Sequence, residues 1–205
     1  MKQVKAVAFD CDGVLFDTEQ ANRIYYGRIL QHFSRPEMTD EQFTFVHMNT
    51  VYESLAHLFP DQKTLEAAHA FRKTMDYRQF LKYLKMEPHL LALLEKLRPN
   101  MRTAIATNRT DTMDRLLTEF ELDGWFDLVV TCSDVEHPKP HPDALLKILD
   151  HFKLAARQVI YVGDSRVDEL AAKAAGMPLV AYRNPELASD YHINNLKELE
   201  ALLNL

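Results

Sequence analysis

Apolar residues are spaced in three different ways along this chain, and each spacing marks a different region. Val4 to Phe9 is a short apolar run, too brief for a helix, which ends abruptly in Asp10-Cys11-Asp12-Gly13. It predicts a buried strand with two acids at its carboxyl end. From Thr18 to about residue 85 the apolar positions recur at helical spacing, with no strand signal between them. Thr18 is placed to cap a helix through Ala21, Ile24, Tyr25, Ile29, Leu30 and Phe33, which Ser34-Arg35-Pro36 stops. Thr39 and Thr50 open a second and a third helix, and Pro60-Asp61 begins a long fourth one carrying Leu65 to Leu84.

From Pro88 onward, helix and strand alternate. Strand signals lie at Arg102–Thr107, Phe126–Thr131, Val159–Val162 and Met177–Tyr182, with amphipathic helices between them and a last helix over Leu196–Leu203. Near-continuous apolar strands separated by helices predict an α/β fold with a Rossmann-like, doubly wound parallel sheet. An all-helical subdomain is inserted after its first strand. The expected division is residues 1–16 and 87–205 for the sheet core and 17–86 for the helical insert.

Composition narrows the classes. At 205 residues, 47% apolar and 26% charged, the chain can build a good core and has no disordered character. A net charge of −6 offers no general attraction for nucleic acid or an anionic membrane. No stretch approaches the ~20 apolar residues needed to span a bilayer, so a cytoplasmic location is the default expectation. Cys11 and Cys132 lack metal-type spacing and are expected to be reduced and buried near strand ends. Nothing in the sequence chooses between a monomer and a homodimer.

The candidate chemistry lies at the strand ends. Asp10 and Asp12 point to the same side of the first strand, and two like charges so close call for a positive partner, most simply a hard divalent cation. Thr107-Asn108 ends the second strand with a hydroxyl and an amide suited to phosphate oxygens, or to capping the next helix. Lys139 sits between prolines in His137-Pro138-Lys139-Pro140-His141-Pro142, so its backbone is restricted and its ammonium is aimed. Asp164 lies in the turn Gly163-Asp164-Ser165, and Asp168 one helical turn further on can face the same crevice. Acids favoured by the dipole of a helix N-terminus are the plainer reading of that pair. Joined to Asp10 and Asp12 they form an oxygen-only acidic cluster without His or Cys, which points to Mg²⁺ rather than zinc.

Taken in order, Asp10-x-Asp12-Gly13-Val14-x-x-Asp17-Thr18, Thr107-Asn108, Lys139-Pro140 and Gly163-Asp164-Ser165 with Asp168 resemble the four motifs of the haloacid-dehalogenase-like hydrolases. Most of that family are Mg²⁺-dependent phosphatases. The resemblance implies Asp10 as nucleophile, Asp12 as general acid and base, and Thr107, Asn108 and Lys139 around the phosphate. It also implies Asp10, Asp12 and Asp164 on the metal, with Asp168 supporting them. The helical insert resembles the cap of the phosphoglycolate-phosphatase and β-phosphoglucomutase-like branch. His47, Asn49 and Tyr52 would then be its substrate contacts, although Val46–Tyr52 lacks the glycine that branch usually places there.

The activity so implied is hydrolysis of a small phosphorylated metabolite through an aspartyl phosphate. A sugar-phosphate mutase shares that machinery, but the Arg expected of it falls near Val51. A dehalogenase has no use for the second acid Asp12. A phosphorylatable receiver module needs only about 120 residues and no helical insert. A catalytically silent binding protein on this fold is opposed by the intact Asp10 and Asp12.

Overall fold

A computed structural model describes residues 4–205, so Met1 to Gln3, which the expected division places in the core, lie outside the described residues. The chain forms two compact units, one made of the chain up to Asp17 together with Met86–Leu205, the other of Thr18–Lys85.

In the first unit, β1 (Ala6–Phe9) is fully buried, as its apolar run requires. The chain leaves this unit through β2 (Phe16–Asp17).

The second unit consists of α1 (Glu19–His32), α2 (Asp40–Met48), α3 (Val51–Leu58), α4 (Gln62–Thr74) and the short α5 (Arg78–Leu81). Their apolar faces meet in one cluster that includes Tyr25, Ile29, Phe43, Leu55, Phe59 and Phe80. Thr39 and Thr50 each close a reciprocal capping box, with Gln42 and Glu53 respectively, which contributes about 1 kcal/mol per helix start. Two expectations change here. Thr18 makes no side-chain capping bond to α1, and among the described residues its buried hydroxyl has no hydrogen-bond partner. The long fourth helix is broken, because Met75 is extended and the Asp76 carboxylate accepts from the Arg78 N–H at 3.1 Å. That local bond offers the backbone a turn in place of a continued helix.

The chain returns through β3 (Lys85–Met86) to α6 (Leu90–Leu97), β4 (Arg102–Ala106), α7 (Met113–Glu119), β5 (Leu128–Val130) and α8 (Asp143–Phe152). Then follow β6 (Val159–Gly163), α9 (Arg166–Ala175), β7 (Leu179–Tyr182), β8 (Tyr191–Ile193) and α10 (Lys197–Leu203). Six strands pair in the order β5-β4-β1-β6-β7-β8, and every neighbouring pair is parallel. The edge strand β8 is absent from the sequence reading: it has three residues, two of them exposed, and gives no alternation to detect.

Helices cover both faces. Ala6 and Ala8 of β1 pack with Ala144, Leu145 and Ile148 of α8 and with Ala171 and Ala172 of α9. The intervening Val7 and Phe9 alternate to the opposite side, where α6 and α10 pack together. Leu90, Leu93, Leu94 and Leu97 of α6 are fully buried at i, i+3, i+4 and i+7, worth about 2 kcal/mol each, while the off-face Leu91 is exposed.

This topology places β1 between β4 and β6, with β5 beyond β4. Carboxyl ends of all four strands therefore lie side by side, where an open parallel sheet binds its ligands.

Candidate active site

Each chemical residue stands at or just past one of those strand ends. Phe9 pairs with Ile105 on one side and Val162 on the other, so Asp10, Thr107 and Asp164 leave the sheet at nearly one level. The Asp10 N–H donates to the Val162 carbonyl at 2.8 Å, which fixes the acid against β6. After Asp12 the chain must turn at once. Gly13 does so with φ +84°, a conformation that disfavours any residue with a Cβ, and a Cβ there would lie 2.0 Å from Asp164 Oδ2. The turn therefore seats Asp164, from just past the end of β6, against Gly13.

Lys139 is the hub of the site. Its side chain is 2% exposed, and its Nζ lies 2.8 Å from Asp10 Oδ1 and 2.7 Å from Asp168 Oδ1. It also donates to the Tyr161 hydroxyl at 2.9 Å. Burying an ammonium is costly unless it is paired, and here two carboxylates repay the cost. Burial alone would lower its pKa, but Asp10 and Asp168 raise it, and Lys139 stays charged. Tyr161 reaches this position from β6 across β1, next to the small side chain of Ala8. Its hydroxyl bonds to Asp168 Oδ1 at 2.7 Å and lies 3.2 Å from the Ala106 carbonyl of β4.

Asp168 is fully buried and both of its oxygens are occupied. Oδ1 serves Lys139 and Tyr161, while Oδ2 accepts from the Ser165 hydroxyl, the Ser165 N–H at 3.1 Å and the Asp164 N–H at 3.3 Å. Burial pushes its pKa up, but Lys139 and these hydrogen bonds outweigh burial and hold it below the ordinary value. Asp10 has less support. Burial, with Asp168 and Asp12 nearby, raises it to about 7 against the opposing pull of Lys139. Burial and the same neighbouring acids push Asp164 well up.

Asp10, Asp164 and Asp168 each offer a carboxylate oxygen, and the three oxygens lie within 4.8 Å of one another. Asp10 Oδ1 is buried and, despite the nearby ammonium, has no aligned hydrogen-bond donor. An acid oxygen whose neighbouring ammonium is poorly aligned, set among further acids, fits a hard divalent ion. The Asp12 carboxylate, expected among the ligands, is not in this group, because Arg109 holds both its oxygens at 2.7 Å.

Thr107 is buried, and its hydroxyl accepts from the Arg109 N–H at 3.2 Å. The Asn108 side chain is engaged elsewhere: it donates to the Lys139 carbonyl and accepts from the Lys139 N–H, each at 2.9 Å. It positions Lys139. Lys139-Pro140 is a cis peptide.

In the helical unit, the His47 Nδ1 lies 3.0 Å from the Asn22 amide, and the ring stacks on Phe43. Asn49 donates to the Phe45 carbonyl of its own helix at 2.9 Å. Tyr52 is 54% exposed, with the Arg72 guanidinium 5.4 Å from its ring centre.

Arg109, Tyr161 and Ser165 escape the sequence reading of individual roles. Arg109 carried a signal, a cation two residues after Thr107 in the same strand-end turn. Tyr161 looks like any core aromatic until the sheet register is known. Among the described residues neither Cys11 nor Cys132 forms a disulfide; Cys11 is buried as expected, and Cys132 is half-buried. Among the described residues no helix is long and apolar enough to cross a membrane.

Residues 7–182 match the family model described as haloacid dehalogenase-like hydrolase. A phosphoglycolate phosphatase of Yersinia pestis is 28% identical, over 87% of this chain and 81% of its own. A phosphorylated carbohydrates phosphatase of Thermotoga maritima is also 28% identical, over 85% of this chain and 82% of its own. Among solved structures, a subfamily IA hydrolase of the same superfamily from Geobacter sulfurreducens is 40% identical. It superposes with a TM-score of 0.80, covering 98% of this chain and 97% of its own.

Proposed function

The chain belongs to the haloacid dehalogenase-like hydrolases, and we propose that it is a Mg²⁺-dependent phosphatase hydrolysing a small phosphate monoester through a phosphorylated Asp10. The observation that carries this reading is Asp10 Oδ1, which lacks an aligned donor yet sits 2.8 Å from a buried ammonium and beside two further acids. A carboxylate so placed is a nucleophile waiting for a phosphorus atom.

Asp10 attacks phosphorus in line, and the bond from phosphorus to the alcohol oxygen breaks. The departing oxygen takes a proton from Asp12, which later removes a proton from the water that cleaves the phosphorylated Asp10. Lys139 lowers the repulsion between the attacking and the phosphoryl anions, and the Thr107 hydroxyl donates to a phosphoryl oxygen. Asp10 and Asp164 would hold Mg²⁺, with Asp168 behind them; the ion supplies positive charge that offsets the same repulsion. Asn108 acts through Lys139. The helical unit is read as the family's cap, with Tyr52 as its proposed substrate contact. Relatives named as phosphatases of phosphoglycolate and of phosphorylated carbohydrates support a small phosphorylated metabolite as substrate.

The test is phosphate release from a panel of phosphorylated metabolites by the native protein, with and without chelator, and by Asp10→Asn. Activity lost in both the chelated and the mutant samples is the expected result. Release that persists in Asp10→Asn would overturn the assignment of the nucleophile.

A further inference from the structure

The Asp12–Arg109 pair has a consequence for which esters this site accepts. Arg109 grips Asp12 by a two-point fork, Nε to Oδ2 and Nη2 to Oδ1, and its Nη1 donates to the Thr112 hydroxyl at 3.2 Å. The Arg109 side chain is only 7% exposed, while that of Asp12 is 18% exposed and forms the open side of the pair. A buried guanidinium stripped of its carboxylate is strongly unfavourable. Turning Asp12 toward a leaving oxygen therefore costs less when another anion takes its place in the fork.

We infer that Arg109 is a substrate-binding residue that selects esters carrying a second anionic group, a carboxylate or a phosphate, close to the ester oxygen. That group replaces Asp12 in the fork, and Asp12, released as a carboxylate, takes up a proton from water before it passes one to the oxygen that leaves. The inference rests on the phosphatase reading above, in which Asp12 serves the leaving oxygen. Geometry places the second group: Arg109 begins two residues after Thr107, a proposed phosphoryl contact, and its fork ends on the residue that faces the leaving group. Planar guanidinium matches both carboxylate and phosphate by paired hydrogen bonds, so the two chemistries share the site. A monoester with an uncharged leaving group brings no replacement anion and leaves Asp12 latched.

The experiment compares kcat/KM for phosphoglycolate, ethyl phosphate and pyrophosphate in the native protein, Arg109→Ala, Arg109→Lys and Asp12→Asn. Intrinsic reactivity cancels when each variant's ratio of anionic to uncharged substrate is set against the native ratio. Loss of a charge-assisted fork should cut the ratio about tenfold to a hundredfold in Arg109→Ala, and Arg109→Lys should fall between. Phosphoglycolate against pyrophosphate separates carboxylate from phosphate as the preferred second group. Asp12→Asn weakens the competition for Arg109, so by calorimetry it should bind unhydrolysed phosphoglycolate more tightly than the native protein, while ethyl phosphate binding is little changed. This last arm stands even if the Arg109 variants fail to fold. Equal losses on all three substrates in both Arg109 variants, or no tighter binding in Asp12→Asn, would overturn the inference. A native protein that releases phosphate from none of the three substrates and from no member of the metabolite panel instead overturns the phosphatase reading, and the inference with it.

Discussion

Asn108 closes a two-bond ring with the backbone of Lys139, accepting from its N–H and donating to its carbonyl, each at 2.9 Å. The two residues are 31 positions apart, and the ring ties the end of β4 to the loop that follows β5. Lys139 itself needs placing to within tenths of an ångström, because its ammonium donates to Tyr161 and Asp168 while lying 2.8 Å from Asp10 Oδ1.

Asn108→Ala removes the ring and leaves a peptide group of the loop short of partners. The protein should lose roughly 1–3 kcal/mol of stability, read as a fall in Tm. The larger effect should fall on kcat, by about tenfold to a hundredfold, since an ammonium displaced by 1 Å no longer opposes the developing charge. KM should move less. An unchanged kcat would mean that the prolines on either side hold Lys139 unaided.

Gly13 gives a second prediction. Asp164 occupies the space a Cβ would need, at 2.0 Å from Oδ2 and 2.5 Å from Cγ, and the backbone is left-handed at φ +84°. Gly13→Ala therefore strains the turn by about 1–2 kcal/mol and pushes Asp164 out of the acidic group. The variant should fold with a lower Tm and need at least about tenfold more Mg²⁺ for half-maximal stabilisation in a thermal melt, because one of its carboxylates has moved. A Tm and Mg²⁺ dependence matching the native protein would show that Asp164 is not held where the metal binds.

Much of this site is visible in the sequence because an acid, a hydroxyl or a lysine directly after an apolar run stands out whatever the rest of the chain does. Asp10, Thr107 and Asp164 are of that kind. Asn108 stands out as well, though as a phosphate contact or a helix cap; Arg109 and Tyr161 do not. The partners of Arg109 and Asn108 depend on which strand ends become neighbours, and a core-like aromatic such as Tyr161 shows its polar contacts only once β6, β1 and β4 are in register. The same limit hides β8 and the break at Met75, where short or local bonds decide the outcome without leaving a periodic pattern. The sheet core is easier, since Leu90, Leu93, Leu94 and Leu97 state the helix and its buried face together.

Asp10 makes the stability of the metal-free protein depend on pH in an unusual direction. Its pKa is raised from 3.8 to about 7 by burial, with Asp168 and Asp12 adding to the effect and Lys139 opposing it. A raised folded value favours the protonated acid, so the stabilisation is full below about pH 4 and is lost as pH rises through about 7. Asp164, also raised, acts with the same sign. Asp168 is lowered, and its contribution is lost only on acidification below the ordinary carboxylate range. The cost of ionising Asp10 is at most about 4 kcal/mol, a large share of the 5–15 kcal/mol that holds a typical domain. The metal-free protein should therefore melt roughly 5–10 °C lower at pH 8 than at pH 5. Millimolar Mg²⁺ should restore the melt at pH 8 far more than at pH 5, because only the ionised acids bind it. Asp10→Asn should flatten most of the metal-free pH slope and melt above the native protein at pH 8, stability gained where function is lost. A native melt that stays level or climbs from pH 5 to pH 8 without metal, in step with Asp10→Asn, would show that Asp10 carries no such burden.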